Sequence, residues 1–405
     1  MDEIFHIPQT QAFCQRRWEW NPDITTLPGS YLVAMVVSAV LGLECSTALL
    51  RTVNVLVLVL VLPHVLQRLT AKRASISLLQ PVLVFCGMLF YTDVLSTAWT
   101  LATWSLVRRP SSHWPQLCIL VCASMAVFTR QTNVVWLLFV SADDLISRST
   151  HKNSLLGFVR FVWHDLCSLL WSQRALAFVV LCFAAFVQWN GAIVIGHHEH
   201  HRVSFVPVQM LYCAAAFAAF NLPLVMFEMR NVCVDLCRRR TRGRTVSAFA
   251  ALTVTCAAAA KASTEPFHPF VLSDSRHYTS VLVRHIFLRA SPFIRPANLH
   301  ALFAPVYAWL FLALHRLVRH TGRVRVCVLL LASLLATSLS SLPEPRYYVL
   351  PHLVVLVLSS EVPLPKPVFL LSMCWTALVA FGAILVFALL PRGFWPDGSE
   401  LRMMW

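Results

Sequence analysis

"VFLLSMCWTALVAFGAILVFALLP", residues 368–391, runs for 24 residues without one charged side chain. About 20 apolar residues in helical form cross the hydrocarbon core of a bilayer. Backbone N–H and C=O groups find no water there, so the stretch reads as a transmembrane helix whose hydrogen bonds are internal. Working outward, "ALAFVVLCFAAFVQW" (175–189) and "VNVLVLVLVLPHVL" (53–66) repeat the signal, and apolar runs recur along the whole chain. Of the 405 residues, 58% are hydrophobic and 13% charged, against roughly a quarter charged in a soluble domain. No soluble core absorbs that much apolar side chain, and the chain reads as an all-α polytopic membrane protein.

The formal charge of +15 invites a nucleic-acid reading. A nucleic-acid binder carries its Lys and Arg on one solvated face of a folded domain. Here they sit in short loops between apolar runs, and "CRRRTRGR" (237–244) reads as a cytoplasmic cluster facing lipid headgroups, so no nucleic-acid partner is expected. Thirteen cysteines contain no CxxC pair, and nearly all lie in or beside hydrophobic segments. Cys14 stands alone in an outer loop, and no structural disulfide is expected.

Spans are expected near 31–66, 76–91, 94–107, 114–128, 134–146, 175–196, 206–227, 246–260, 299–315, 326–342, 347–360 and 368–390. Loops 67–75, 108–113, 147–174, 228–245, 316–325 and 361–367 hold 20 of the 33 Lys and Arg. The opposite set, including 1–30, Asp93, 129–133, 197–205, 261–298, 343–346 and the tail, carries 12 basic and 11 acidic residues. Excess Lys and Arg mark cytoplasmic loops, so the balanced set faces the lumen or exterior. The segment 31–66 is too long for one span and holds Glu44 and Arg51, which a re-entrant or interfacial helix before the span would resolve.

The unusual polar residues gather on the balanced side. "DEIFH" sets Asp2 and Glu3 beside His6, with Asp2 and His6 on one helical face. A carboxylate there can act as general base toward a hydroxyl, or it can cap a helix. Asp93 lies in a short turn and reads either as a functional carboxylate or as a cap. Arg130, Gln131, Thr132 and Asn133 occupy another turn, where Arg130 suits a phosphate and equally suits snorkelling to headgroups. The longest outer loop holds His268, Asp274, Arg276, His277 and Tyr278. Glu344 and Arg346 flank Pro345 in an extended turn, as a site pair or a salt bridge. Neither His268 with His277 nor "HHEHH" (197–201) has zinc-motif spacing, and no metal is assigned.

"MDEIFHIPQTQAFC" (1–14), "WNPDITTLPGSYL" (20–32), "FTRQTNVVW" (128–136), "NGAIVIGHHEHH" (190–201), "HPFVLSDSRHYT" (268–279), "EPRYYVLPH" (344–352) and "FWPDGSELRMMW" (394–405) stand in collinear order from end to end. In these motifs the sequence resembles the dolichyl-phosphate-glucose-dependent α-1,2-glucosyltransferases of the endoplasmic reticulum. The resemblance implies a fold of the GT-C type, with about 11–12 transmembrane helices and luminal catalytic loops in a single domain over 1–405. It implies addition of the terminal α-1,2-linked glucose to a dolichyl-diphosphate-linked oligosaccharide, from dolichyl phosphate glucose, with inversion and without a cofactor. Carried onto this chain, it makes Asp2 or Glu3 the base, with Asp2 the first choice from the family pattern. His6, Asp93, Gln131, Asn133, Asp274, His277, Tyr278, Glu344 and Tyr347 become acceptor or sugar contacts, and Arg130, Arg276 and Arg346 candidates for the donor phosphate. Members of the family place a transmembrane helix before "DEIFH", so one is expected upstream of residue 1. The turn at Asp93 more usually carries Glu, and the loop after "IVIG" is shorter and His-rich here.

Two rival classes remain on the sequence. A secondary transporter would show charged residues at the midplane and inverted repeats. A non-catalytic membrane partner would tolerate loss of both Asp2 and Glu3.

Overall fold

The computed structural model describes residues 3–70, 74–109, 115–196, 204–263, 277–288, 296–340, 342–394 and 400–402. The principal helices, numbered along the chain, are α1 (Glu3–Cys14), α2 (Gly29–Leu41), α3 (Thr47–Leu69), α4 (Thr92–Arg108), α5 (Pro115–Thr129), α6 (Asn133–Arg148) and α7 (Arg174–Asn190). They continue as α8 (Val208–Phe220), α9 (Leu222–Cys237), α10 (Arg239–Ala262), α11 (Ala304–Val318), α12 (Arg323–Ser338), α13 (Val349–Ser359) and α14 (Lys366–Leu389). One small antiparallel hairpin, Pro391–Phe394 with Glu400–Arg402, follows the last helix. Among the described residues the architecture is otherwise helical, as the hydropathy requires.

Among the described residues, α3, α10 and α14 are each long and apolar enough to cross a membrane unbroken. Three pairs of helices are long and apolar enough only when taken together across a sharp bend, among them α8 and α9, which meet at 106° across Asn221. The expected 11–12 spans therefore resolve into a few continuous helices, bent pairs and shorter apolar helices such as α2 and α5. The largest departure is at 31–66. Gly42 ends α2 in the left-handed conformation at φ 64°, and Ser46 opens α3 by accepting the Leu49 N–H at 3.3 Å. These are ordinary helix stop and start signals, and they divide the segment into a short helix and a 23-residue span. The expected loop 228–245 is likewise helical up to Cys237 and again from Arg239, so the arginine run forms the first turns of α10.

α14 shows the lipid-facing logic directly. Leu370, Leu371, Leu378, Phe381, Leu385 and Leu389 are exposed, whereas Ser372, Thr376, Ala380 and Ala383 are buried. Large apolar groups outside and small ones inside suit a helix packed in a bilayer, where close backbone approach replaces hydrophobic drive. Ser372 and Thr376 donate their hydroxyls to Val368 O and Ser372 O, both at 2.7 Å, so neither of these buried groups is left unpaired.

The chain divides into two compact units. The first comprises residues 1–74, 86–202 and 321–332, and the second comprises 75–85, 203–320 and 333–405. In the first, α1 packs on α2 around Phe13, Ile24, Tyr31, Ala34, Leu50 and Phe90. Gly29 lets α2 meet α5 closely, since a Cβ there would lie 2.6 Å from the Phe128 carbonyl carbon. In the second unit, α10 packs on α11 around Val206, Val208, Leu211, Cys256, Ala260 and Ala304.

Candidate active site

The outer loop expected over 1–30 begins as a helix. Glu3 lies in the first turn of α1, where a carboxylate is favoured by the exposed amides and the dipole. Its side chain accepts three hydrogen bonds. Arg51 of α3 donates Nε to Oε1 at 2.8 Å and an Nη to Oε2 at 2.7 Å, and the Phe90 N–H donates to Oε1 at 2.7 Å. Burial acts on the Glu3 carboxyl most strongly and raises its pKa, but the Arg51 fork and the Phe90 amide together outweigh it. The net shift is downward, and Glu3 is held ionised.

Arg51 shares its helix face with Asn54, one turn on. Asn54 Nδ2 donates to Leu89 O and Tyr91 O, both at 2.7 Å, and so fixes the turn that presents the Phe90 amide. That turn leads into α4, whose first turn carries Asp93, only 2% exposed on its side chain. Asp93 is ion-paired with Arg130, which follows the end of α5. The cap position of α4 is occupied by Tyr91, which makes no side-chain cap bond, and Asp93 lies within the first turn. Gln131 Nε2 donates to Thr25 O at 2.8 Å, and Asn133 Nδ2 donates to Ser96 Oγ and Ala126 O, both at 2.7 Å. The structure thus brings Glu3, Asp93, Arg130, Gln131 and Asn133 onto one connected polar framework at the heads of α1, α4 and α6.

His6 is buried at 6% exposure, with Nδ1 2.5 Å from the Tyr31 hydroxyl, beside Phe13 and Trp20. Its neighbour Gln9 spans to Glu19 O at 2.7 Å and accepts the Asn21 N–H at 2.9 Å, tying the chain after α1 back onto the helix.

Cys14 corrects the reading that it is unpaired. It forms a disulfide with Cys45, at a Cα separation of 6.4 Å. Cys45 falls in the turn between α2 and α3, which the sequence reading had absorbed into a span, so the partner was hidden by a misplaced boundary. Gln11 Nε2 also donates to Cys45 O at 3.1 Å.

The remaining expected residues belong to the second unit or lie outside the described residues. His277 precedes the short helix Tyr278–Leu282, and burial pushes the Tyr278 hydroxyl pKa up. Glu344 Oε2 accepts from Arg346 at 2.5 and 3.1 Å, the salt bridge that the sequence offered as one alternative. Glu344 is extended there, whereas Pro345–Tyr348 closes into a 3-10 turn that includes Tyr347, because proline's fixed φ suits a helical first turn as well as a strand. Asp2, His268, Asp274, Arg276 and the run 197–201 lie outside the described residues. Among the described residues, no group of three His, Cys, Asp or Glu is placed to hold a metal ion. Sequence reasoning missed Arg51, Asn54, Tyr31 and Cys45 as parts of this framework. The Gly42 and Ser46 signals could have exposed Cys45, and nothing local marks Arg51 as a partner of Glu3.

The sequence model of the DIE2/ALG10 family matches residues 1–357. A curated relative from Yarrowia lipolytica is 28% identical, over 100% of this chain and 92% of its own length. One from Mus musculus is 27% identical over 100% and 93%, and one from Drosophila melanogaster 27% over 87% and 82%. Each of the three bears the name Dol-P-Glc:Glc(2)Man(9)GlcNAc(2)-PP-Dol alpha-1,2-glucosyltransferase. No solved structure matches the chain.

Proposed function

The chain belongs to the DIE2/ALG10 family, and on that premise we propose that it transfers glucose from dolichyl phosphate glucose to dolichyl-diphosphate-linked Glc2Man9GlcNAc2. The new bond is an α-1,2 linkage to the terminal glucose, which makes this the last step of lipid-linked oligosaccharide assembly for N-glycosylation. The observation that carries the reading is end-to-end similarity to relatives that share this one named activity. On this reading the protein is a multi-pass enzyme of the endoplasmic reticulum membrane, a single multispanning domain over 1–405 whose active site faces the lumen.

In the reaction, a carboxylate of the "DEIFH" motif, Asp2 or Glu3, takes the proton from the acceptor 2-hydroxyl. The oxygen attacks C1 of the donor glucose as the bond from C1 to the phosphate oxygen breaks, and β becomes α. Dolichyl phosphate departs with the electron pair, its charge balanced by Arg130, Arg276 and Arg346. His6, Asp93, Gln131, Asn133, Asp274, His277, Tyr278, Glu344 and Tyr347 orient the two sugars. Purified protein, given a dolichyl phosphate glucose analogue and the diglucosylated lipid-linked acceptor, is expected to add one hexose by mass, with or without EDTA. No transfer from a folded, full-length preparation would overturn the assignment.

Two observations support the luminal orientation: the basic loops, and a disulfide at the foot of α1, since disulfides persist in oxidising compartments. In sealed microsomes a membrane-impermeant maleimide is expected to leave Cys14 and Cys45 unlabelled even after mild reduction with a permeant thiol, and to label both once the vesicles are opened. Labelling of the pair in sealed, reduced vesicles would reverse the topology.

A further inference from the structure

The Glu3 carboxylate offers about four lone-pair positions, and the structure fills three of them with donors from Arg51 and Phe90. A general base needs a lone pair directed at the substrate hydroxyl and an affinity for its proton. A carboxylate clasped by a guanidinium fork has little of either, because taking up a proton would break the bidentate pair. The clasp is part of a larger arrangement. Arg51 grips the head of α1, the Cys14–Cys45 disulfide grips its foot, and both grips come from the segment that begins α3. Asn54 of that helix also holds the 89–91 turn that supplies the Phe90 amide. Both ends of α1 are thus tied to one neighbouring segment.

Resting on the glucosyltransferase reading above, we infer that Arg51 is a positioning residue and Glu3 its anchor: the pair fixes the head of α1 and leaves proton abstraction to Asp2. Arg51 touches neither reacting atoms nor substrate in this assignment. Its effect runs through the seating of α1, and misplacement of a catalytic group by about 1 Å costs on the order of 10²-fold in rate. Lysine at position 51 would keep the charge and lose the fork.

The test measures kcat, both KM values and the pH–rate profile for the full-length wild type, Glu3→Gln, Arg51→Lys and Arg51→Ala. Non-reducing peptide mapping of the Cys14–Cys45 cross-link reports folding. Arg51→Ala is expected to lower kcat about 10²-fold, with both KM values within about twofold, and Arg51→Lys to recover part of the loss. Glu3→Gln can still accept from Phe90 and Arg51, so it is expected to be slower yet to retain the acidic limb of the profile. Disappearance of that limb in Glu3→Gln would make Glu3 the base and overturn the inference. Wild-type kcat in Arg51→Ala would overturn it as well, by reducing the pair to a surface contact. If Arg51→Ala loses the cross-link, Arg51→Lys decides on the same readouts. No transfer by the wild type would overturn the glucosyltransferase reading and this inference with it, whereas a transferring wild type with an unaffected Arg51→Ala rejects the inference alone.

Discussion

Asp2→Asn is expected to slow glucosyl transfer by roughly 10²–10⁴-fold, the contribution typical of a positioned general base. The amide keeps the size and much of the hydrogen-bonding shape of the carboxylate, but it cannot accept the hydroxyl proton. The loss should therefore fall on kcat, with the two KM values nearly unchanged, because an interaction made only in the transition state is what disappears. Folding is monitored by the Cys14–Cys45 cross-link, which joins the far end of α1 to the turn before α3. Product mass at saturating donor and acceptor gives the rate. An Asp2→Asn enzyme within tenfold of wild type would remove Asp2 from the reaction and send the search for the base to another carboxylate.

A comparably large effect is expected far from the reaction, at Asp143 in α6. This carboxylate is fully buried and accepts from Trp104 Nε1 at 2.7 Å, Arg108 Nε at 2.9 Å and Arg325 Nε at 2.6 Å. Arg325 is itself 6% exposed and donates a further bond to Ser147 Oγ at 2.7 Å. Removing the anion strands the buried Arg325 guanidinium and takes the partner of the partly exposed Arg108 as well, and breaking a buried pair from one side costs about 3–5 kcal/mol. Asp143→Leu should accordingly lower the melting temperature in detergent by many degrees, or prevent accumulation of folded protein. Adding Arg325→Met to Asp143→Leu should restore part of the stability, since the stranded buried charge is then gone as well. Melting of Asp143→Leu within about a degree of wild type would show that the cluster contributes nothing to holding α4, α6 and α12 together.

The same contrast runs through the candidate site. "DEIFH", the turn at Asp93 and "FTRQTNVVW" are legible as polar interruptions between apolar runs, because hydropathy is a property of consecutive residues. Their joining into one framework is not legible. Glu3 meets Arg51 across 48 residues and Asp93 meets Arg130 across 37, and neither spacing carries a local signal. Arg51 looked like a charge misplaced in a span. It is the residue that occupies both oxygens of Glu3, and the burial of Asp93 is tolerated because Arg130 accompanies it.

The sequence by itself determined that this protein is a helical membrane protein, where its last helix runs and which motifs it shares with its family. These follow from apolar runs that must satisfy their own backbone in lipid, and from short collinear patterns. Expected residues 368–390 and observed α14 agree to within two residues for that reason. Only the tertiary structure decided that 31–66 is a short helix and a span, that Cys14 has a partner, and which arginine answers which carboxylate. Those outcomes depend on where helix ends meet in space, and a buried charge or thiol takes whichever partner the packing of distant helices brings within reach.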